Sequence, residues 1–347
     1  MVTQTKITQN LIAKQAGVSR AAVSIALSSR QDTSLSPETR ERILCVAEEL
    51  GYAPRFVQTM PGAAKNTLCL IIPDSSSSAI YHGQLFWKTL MHAGVVAEAE
   101  KLGYRLSLSV SDGAAIIPDT ITQGNADGII TDIVCARGWV EALQQRTPVV
   151  LLNYAIDDIT VDSVMPDNAA GMMKALTHLC ELGHRHIAVF GVEAKSHQFA
   201  KRFAAFIATM ATLGLPCSEA YVAMTESATE VNAWASAALE RWSALAHPPT
   251  AVIALNDVFA SCLMRMAQAR GMVIPTDLSI IGFDNDPSIC LHCEPQLTTI
   301  DHAFEQIGRI ACQLLVSRIA DPSRPSIRAL VDVPIIVRGS TGPAPIR

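Results

Sequence analysis

Aromatic residues make up only 5% of this 347-residue chain and charged residues only 17%. No apolar run approaches the roughly 20 residues of a membrane span, and the N-terminus has no basic region followed by an apolar block. Low charge beside 49% hydrophobic content excludes a disordered chain and predicts globular domains with large cores. The missing apolar runs exclude membrane insertion and secretion, so the reading is a cytoplasmic protein with no membrane partner. No P-loop, GxGxxG, GxSxG or HExxH sequence occurs, so no motif pairs a nucleophile with a base, and the chain does not read as an enzyme. Nine cysteines, an odd number, read as reduced thiols. The lone CxxC, Cys290-Leu291-His292-Cys293, lacks a second pair, and His292 is badly spaced to share an ion with both thiols. It reads as structural, with neither metal nor cofactor. No heptads trail Thr341–Arg347, which favours a dimer over a tetramer built on a C-terminal helix bundle.

What is present begins at residues 8–29, TQNLIAKQAGVSRAAVSIALSS. Ile12, Ala13 and Ala16 recur at helical spacing, and Gly17 supplies the backbone freedom that stops the helix. Ser19 offers an N-cap for a second helix, whose Val23, Ala26 and Leu27 would pack back on the first. Small residues at Ala13, Ala16, Ala21 and Ala22 let the two helices cross closely. Arg20, Ala21 and Ser24 then face outward from the second helix, which is the layout of a helix-turn-helix that reads base edges in double-stranded DNA. The plainer alternative is a helical hairpin in some other domain. A third helix follows, with Ser36 as N-cap, Pro37 at its first position, an apolar stripe of Ile43, Leu44, Ala47 and Leu50, and Gly51 as its stop. Residues 1–60 hold seven basic residues (Lys6, Lys14, Arg20, Arg30, Arg40, Arg42, Arg55) against five acids (Asp32, Glu38, Glu41, Glu48, Glu49). That head charge of +2 leaves −7 of the net −5 on the remainder. A balance so modest predicts that two heads must act together on DNA.

From Lys65 onward short β-rich runs alternate with helical stretches. The pattern predicts strands at 67–73, 104–110, 127–131, 148–153, 187–191, 221–225, 250–255 and 279–283. Helices are predicted near 84–102, 138–145, 168–182, 197–213, 230–245, 257–270 and 303–320. Such alternation means an α/β fold with parallel, doubly wound sheets covered by helices. Two sheets of five or six strands use this length better than one large sheet. Ligands in such folds sit at strand carboxyl ends, so a cleft between two lobes is the expected site.

Several segments together give a specific resemblance: the head, SPETRERI with LGY (36–52), THLCELGHRHIAVFG (177–191), ALNDVFA (254–260), LSIIGFDNDP (278–287), PQLTTI (295–300) and IVRGST (336–341). Over essentially its whole length the chain resembles the lactose-repressor (LacI/GalR) family of bacterial transcription regulators. The resemblance implies a three-helix head at 1–53, a hinge at 54–66, and a two-lobed body like that of periplasmic sugar-binding proteins. One lobe would comprise 67–163 with 301–332, and the other 164–300 with 333–347. It implies a homodimer on a pseudo-palindromic operator and a small effector, a sugar or related metabolite, that changes operator affinity. The alternative is a sugar-type solute-binding protein without DNA function, which would show no sequence-selective retention in a gel shift.

The residues that the resemblance marks for DNA contact are Thr8, Ser19, Arg20, Ala21, Ser24, Arg55 and Met60. Arg20 suits the O6 and N7 of guanine, or else a phosphate, while Ala21 can only touch a thymine methyl. Ile25 stands where many relatives carry a further arginine. The hinge reads Arg55-Phe56-Val57-Gln58-Thr59-Met60-Pro61-Gly62, which places Met60 or Pro61 at the minor-groove wedge and predicts a short hinge helix. For the effector, the candidate residues are Asp74, Ser75, Asn153, Asn256 and Asp284 at strand ends, with Tyr81, Phe86, Gln198 and Lys201 as substitutes for grips that the resemblance leads one to expect and this chain lacks. The arginine that reaches into the cleft aligns with Ala200, and an aromatic wall with Ala228, leaving Gln198, Lys201 and Arg202 as the nearest polar grips. Plainer roles stand beside these: Asp257 as a helix cap, Phe86 and Trp87 as core, and His184 and His186 as caps of the preceding helix.

Overall fold

The computed structural model describes residues 8–27, 35–50, 66–73, 85–111, 125–133, 137–192, 197–225 and 230–346. The head consists of α1 (Gln9–Ala16), α2 (Arg20–Ala26) and α3 (Pro37–Glu49). Its boundaries follow the local chemistry. Thr8 Oγ1 accepts from Leu11 N at 3.4 Å, and Gly17 takes the left-handed conformation (φ 67°) that ends α1. Ser19 Oγ accepts from Ala22 N at 3.1 Å and Ser36 Oγ from Thr39 N at 3.2 Å, so both later helices start on serine caps. Ile12, Ala13, Ala16, Val23, Ala26, Leu27, Ile43 and Ala47 form the buried centre. The Arg40 guanidinium also donates to Ala26 O at 3.2 Å, satisfying a carbonyl that the end of α2 leaves open.

After the head come β1 (Thr67–Pro73), α4 (Leu85–Lys101), β2 (Arg105–Ser111), β3 (Gly128–Thr131), α5 (Arg137–Gln144), β4 (Val149–Leu152) and β5 (Asp162–Pro166). These are followed by α6 (Asn168–Glu181), β6 (Ile187–Val192), α7 (His197–Thr212), β7 (Val222–Thr225), α8 (Val231–Ser243), β8 (Ala251–Ala254) and α9 (Asp257–Gln268). The chain closes with β9 (Ser279–Asp284), α10 (Pro287–Cys290), β10 (Thr298–Asp301), α11 (Phe304–Ala320), β11 (Arg328–Val331) and β12 (Ile335–Ile336). Two six-stranded sheets result, in the orders β11-β5-β4-β3-β1-β2 and β12-β10-β9-β8-β6-β7. Central strands such as Val149–Leu152 and Ala251–Ala254 are buried throughout, as parallel strands covered on both faces must be.

The body forms two compact units. One holds β1, Met91–Met165 and Glu305–Ala329; the other holds α4 through Leu90, Pro166–Phe304 and the chain from Leu330 on. In the first, α4 and α11 cross with almost no gap, since a Cβ on Gly94 would lie 2.0 Å from Glu305 O and one on Gly308 2.0 Å from Met91 O. The expectation of wholly parallel sheets needs one correction: β10 and β12 pair antiparallel, because the chain doubles back to the sheet edge after β11. Strands β5, β10, β11 and β12 were not expected either. In β5 and β10 polar side chains occupy buried positions, which breaks the apolar run that a buried strand usually shows.

Two polar clusters explain how those strands are held. His184, expected to cap α6, caps it only through its backbone N–H, which reaches Leu179 O. Its fully buried ring instead meets Thr250 Oγ1 at 2.8 Å, Ser279 Oγ at 3.1 Å and Gly342 O at 3.0 Å. Arg185 supplies the cap proper, donating to Cys180 O at 3.0 Å. The returning segment is fixed further along by Ser340 Oγ, which accepts from Thr298 N and donates to Ile280 O. With Thr341 Oγ1 lying 3.2 Å from Thr298 Oγ1, the serine and threonine of IVRGST are the stitches of a strap across β9 and β10.

Asp162 opens β5 with a fully buried side chain gripped by two arginines. Arg318 donates from Nε at 2.9 Å and Nη2 at 3.1 Å, Arg324 from Nη2 at 2.8 Å and Nη1 at 3.0 Å, and Ile327 N at 2.8 Å. Burial works to raise the carboxyl's pKa, but the Arg318, Ile327 and Arg324 hydrogen bonds outweigh it and hold it below the ordinary carboxylate value. Asp162→Ala leaves two arginines facing each other and is expected to cost about 3–5 kcal/mol, read as a lower urea midpoint. Because the folded pKa is depressed, the stabilisation is present above the unfolded value near 3.8 and is lost as pH falls through the folded one. The wild-type protein should therefore lose stability on acidification below about pH 4 more steeply than the alanine variant.

Candidate functional site

In the head, helix α2 turns Val23 and Ala26 inward and leaves Arg20, Ala21 and Ser24 exposed on its outer side. Thr8 and Ser19 sit at the starts of α1 and α2 with their hydroxyls engaged as caps. Any contact they make with a phosphate thus comes in addition to capping. Arg55 and Met60 lie outside the described residues, as do all hinge positions from 54 to 65.

The second unit gathers its polar side chains where β6, β8, β9 and β10 end. Asp284 closes β9 with φ 117°, a backbone conformation that side-chain-bearing residues rarely adopt. Its Oδ1 accepts from Arg202 Nη2 at 3.1 Å and lies 3.0 Å from His302 Nδ1, off the line of an aligned hydrogen bond. Arg202 comes from α7 and is 5% exposed, while Asp284 keeps 16%. The guanidinium also donates from Nε to Asn168 Oδ1 at 3.2 Å, from Nη1 to Leu255 O, and toward His302 Nε2 at 3.1 Å. It lies over the Phe283 and Phe199 rings at 5.1 and 5.6 Å. Burial lowers its pKa and the Asp284 charge pushes back. Beyond it the rings of Phe283, His302, Phe304 and Trp87 run in series, with centroid spacings of 5.6, 5.1 and 5.7 Å. Trp87 therefore packs on an aromatic neighbour, in keeping with its plainer role.

The arginine at this site is Arg202 and not the position aligned as Ala200. Ala200 is exposed on α7, and the two-residue difference carries the side chain around the helix from solvent to core. Gln198 is drawn in by Asn168 Nδ2, which donates to its Oε1 at 2.6 Å, and Lys201 is half-buried one residue before Arg202. Asn256 caps α9, accepting from Phe259 N at 2.8 Å. The cap is thus Asn256, and Asp257, expected in that role, turns its carboxyl into the core. There it accepts from Asp286 N at 2.8 Å, Thr299 Oγ1 at 2.6 Å and Cys290 Sγ at 3.1 Å. Burial, and next the Asp284 charge, push the Asp257 pKa well above the carboxylate range. Phe86 is half-buried on α4 of the same unit. Asn153 follows β4 in the first unit with a left-handed backbone (φ 65°) that asparagine tolerates. Asp74, Ser75, Tyr81 and Ala228 lie outside the described residues. His302 and Asn168 carried no motif signal: each simply follows an aspartate just past a strand, and only tertiary packing brings it to Arg202. Among the described residues no cluster of three or more histidine, cysteine or acidic side chains is arranged to hold a metal ion.

Comparison with known proteins places both halves. Residues 11–55 match the family described as bacterial regulatory proteins of the lacI family, and residues 176–341 match the periplasmic binding protein-like domain. The chain thus carries a LacI-family helix-turn-helix domain followed by a periplasmic-binding-like domain. It is 26% identical to the HTH-type transcriptional repressor CytR of Escherichia coli K12, covering 99% of this chain and 98% of that protein. It is 29% identical to the probable HTH-type transcriptional repressor ExuR of Bacillus subtilis 168, covering 95% and 96%. A LacI-family transcriptional regulator from Enterococcus faecium, solved with bound ribose, is 25% identical and superposes with a TM-score of 0.64 over 80% of this chain and 99% of its own. With that head the protein is a DNA-binding transcriptional regulator of the LacI type, a class controlled by sugars or other metabolites. Its relatives are transcriptional regulators. No described helix is long and apolar enough to cross a membrane.

If Arg20 clasps a guanine edge, Arg20→Ala costs about 1–3 kcal/mol at one base position and leaves binding to operators altered there unchanged. If it holds a phosphate, the loss is uniform across sequences and the salt slope falls by about one. Fluorescence anisotropy on a set of single-base operator variants at two salt concentrations distinguishes the two outcomes.

Proposed function

We propose that this chain is a cytoplasmic homodimeric repressor that places two heads on a pseudo-palindromic operator and releases or tightens its hold when a small sugar or related metabolite binds at the Arg202–Asp284 pair. The observation that carries this reading is the buried arginine held against a strained aspartate at the carboxyl ends of β8, β9 and β10. Ligands of doubly wound sheets sit at such strand ends, and a strained backbone maintained there fits a binding role. The ribose found in the Enterococcus faecium relative supports a polyhydroxylated ligand. Arg20, Ala21 and Ser24 make the operator contacts of each head, and the head charge of +2 makes the second head necessary. The protein acts by binding and carries out no catalysis.

Coupling of about 1–3 kcal/mol between the sites changes operator affinity 5- to 150-fold, and a change below about twofold at saturating ligand would sink the scheme. A panel of sugars and nucleosides, read by melting temperature, identifies the ligand, since one at about 100 times its Kd adds about 2.7 kcal/mol of stability. Asp284→Ala is expected to abolish the shift while bare operator binding stays intact. Persistence of the shift in that variant places the ligand elsewhere.

A further inference from the structure

Arg202 and His302 constrain each other more tightly than the reading above requires. A guanidinium has five N–H donors and no acceptor. Four of the five are directed at Asn168 Oδ1, Leu255 O, Asp284 Oδ1 and His302 Nε2. His302 is fully buried, with its ring flanked by Phe283 and Phe304. Because Arg202 can only donate, the Nε2 it faces must be the bare nitrogen. The proton of a neutral imidazole then sits on Nδ1, 3.0 Å from Asp284 Oδ1. Oδ1 thus faces two donors, whereas Oδ2 has no hydrogen bond from any described residue on a side chain that keeps 16% exposure.

Resting on the effector site proposed above, we propose that His302 is a positioning residue that consumes the inward donors of the Arg202–Asp284 pair and so restricts the site to neutral, hydrogen-bond-donating ligands. A sugar phosphate or a sugar acid needs the two parallel N–H groups of an uncommitted guanidinium, and Arg202 has no such pair to give. A hydroxyl or an amide N–H needs only an acceptor, which Asp284 Oδ2 supplies. The charged groups facing the ring are Arg202 from α7, Asp284 from β9 and Asp301, which ends β10 immediately before it. Burial, and then the Arg202 charge, depress the imidazole pKa, so the arrangement persists when solvent-exposed histidines protonate.

The test has one arm without a ligand and one with named probes. In the full-length protein labelled with 15N at histidine, the His302 resonances are expected to report a bare Nε2 and a protonated Nδ1 from pH 8 down to at least pH 6. An Nε2–H tautomer, or an imidazolium at pH 7, overturns the proposal. In the second arm, D-ribose against D-ribose 5-phosphate, D-glucose against D-glucuronate and adenosine against its 5′-monophosphate are compared at equal ionic strength by thermal shift. The neutral member of any responsive pair is expected to bind at least tenfold more tightly. His302→Phe keeps the ring packing but frees an Arg202 N–H, and should narrow that preference severalfold. His302→Gln, which can accept and donate as the neutral ring does, should restore it. An anionic member that binds the wild type as tightly as its neutral partner, with a response lost in Asp284→Ala, overturns the restriction. If responses survive Asp284→Ala, the effector site itself is misplaced, and the tautomer result separates that failure from a failure of His302. If no pair responds, the nitrogen resonances decide alone.

Discussion

A guanidinium withdrawn almost entirely from water is tolerable only if its charge and its donors are matched, and in the second unit that requirement organises the ends of three strands. Arg202 needs Asp284 for charge, and Asn168, Leu255 and His302 as acceptors. Each comes from a different stretch of chain, so the ion pair forms only when β8, β9, β10, α6 and α7 are already in register. Asp284 accepts a left-handed backbone to reach it. Buried pairs of this kind contribute little net stability against an apolar substitute, and losing one partner is costly. Its value lies in fixing a single geometry at the place where this fold class binds ligands.

The first unit solves a similar problem at Asp162, where two arginines and a backbone N–H converge on one carboxylate. The two clusters differ in one respect that matters for function. Asp162 has both oxygens enclosed by donors, so its chemistry is spent on holding β5 to the segment after α11. Asp284 has one oxygen enclosed and one without a partner among the described residues. The first arrangement is complete without a ligand, and the second has an acceptor left over.

Much of the architecture was legible because it rests on periodicity. The apolar stripe of Ile12, Ala13 and Ala16, the glycine at 17 and the serine at 19 act locally, through helical spacing, a left-handed turn and a cap, and the first two head helices follow from them, as the third follows from Ser36 and Pro37. The eight strands read from β-rich runs all form, with ends within a residue or so of those expected. Strands β5 and β10 escaped because buried Asp162, Ser163, Thr298 and Thr299 interrupt the apolar pattern, and β11 and β12 because four and two residues are too short to show a period. Remoteness in sequence hid His184, which looked like a cap and holds a strap 158 residues further along the chain.

Sequence by itself determined that this chain carries a helix-turn-helix head on an α/β body and belongs among DNA-binding regulators, because those features depend on neighbours within one or two helical turns and on motifs that stay contiguous. Tertiary structure alone decided which arginine serves the strand-end site, that Asn256 and not Asp257 caps its helix, and that His302 faces both halves of the ion pair. The physical reason is the same in each case. Desolvating a charge is costly enough that any buried polar side chain must find a partner, and the partners of Arg202 lie 34 to 100 residues away in sequence, where no local pattern can name them.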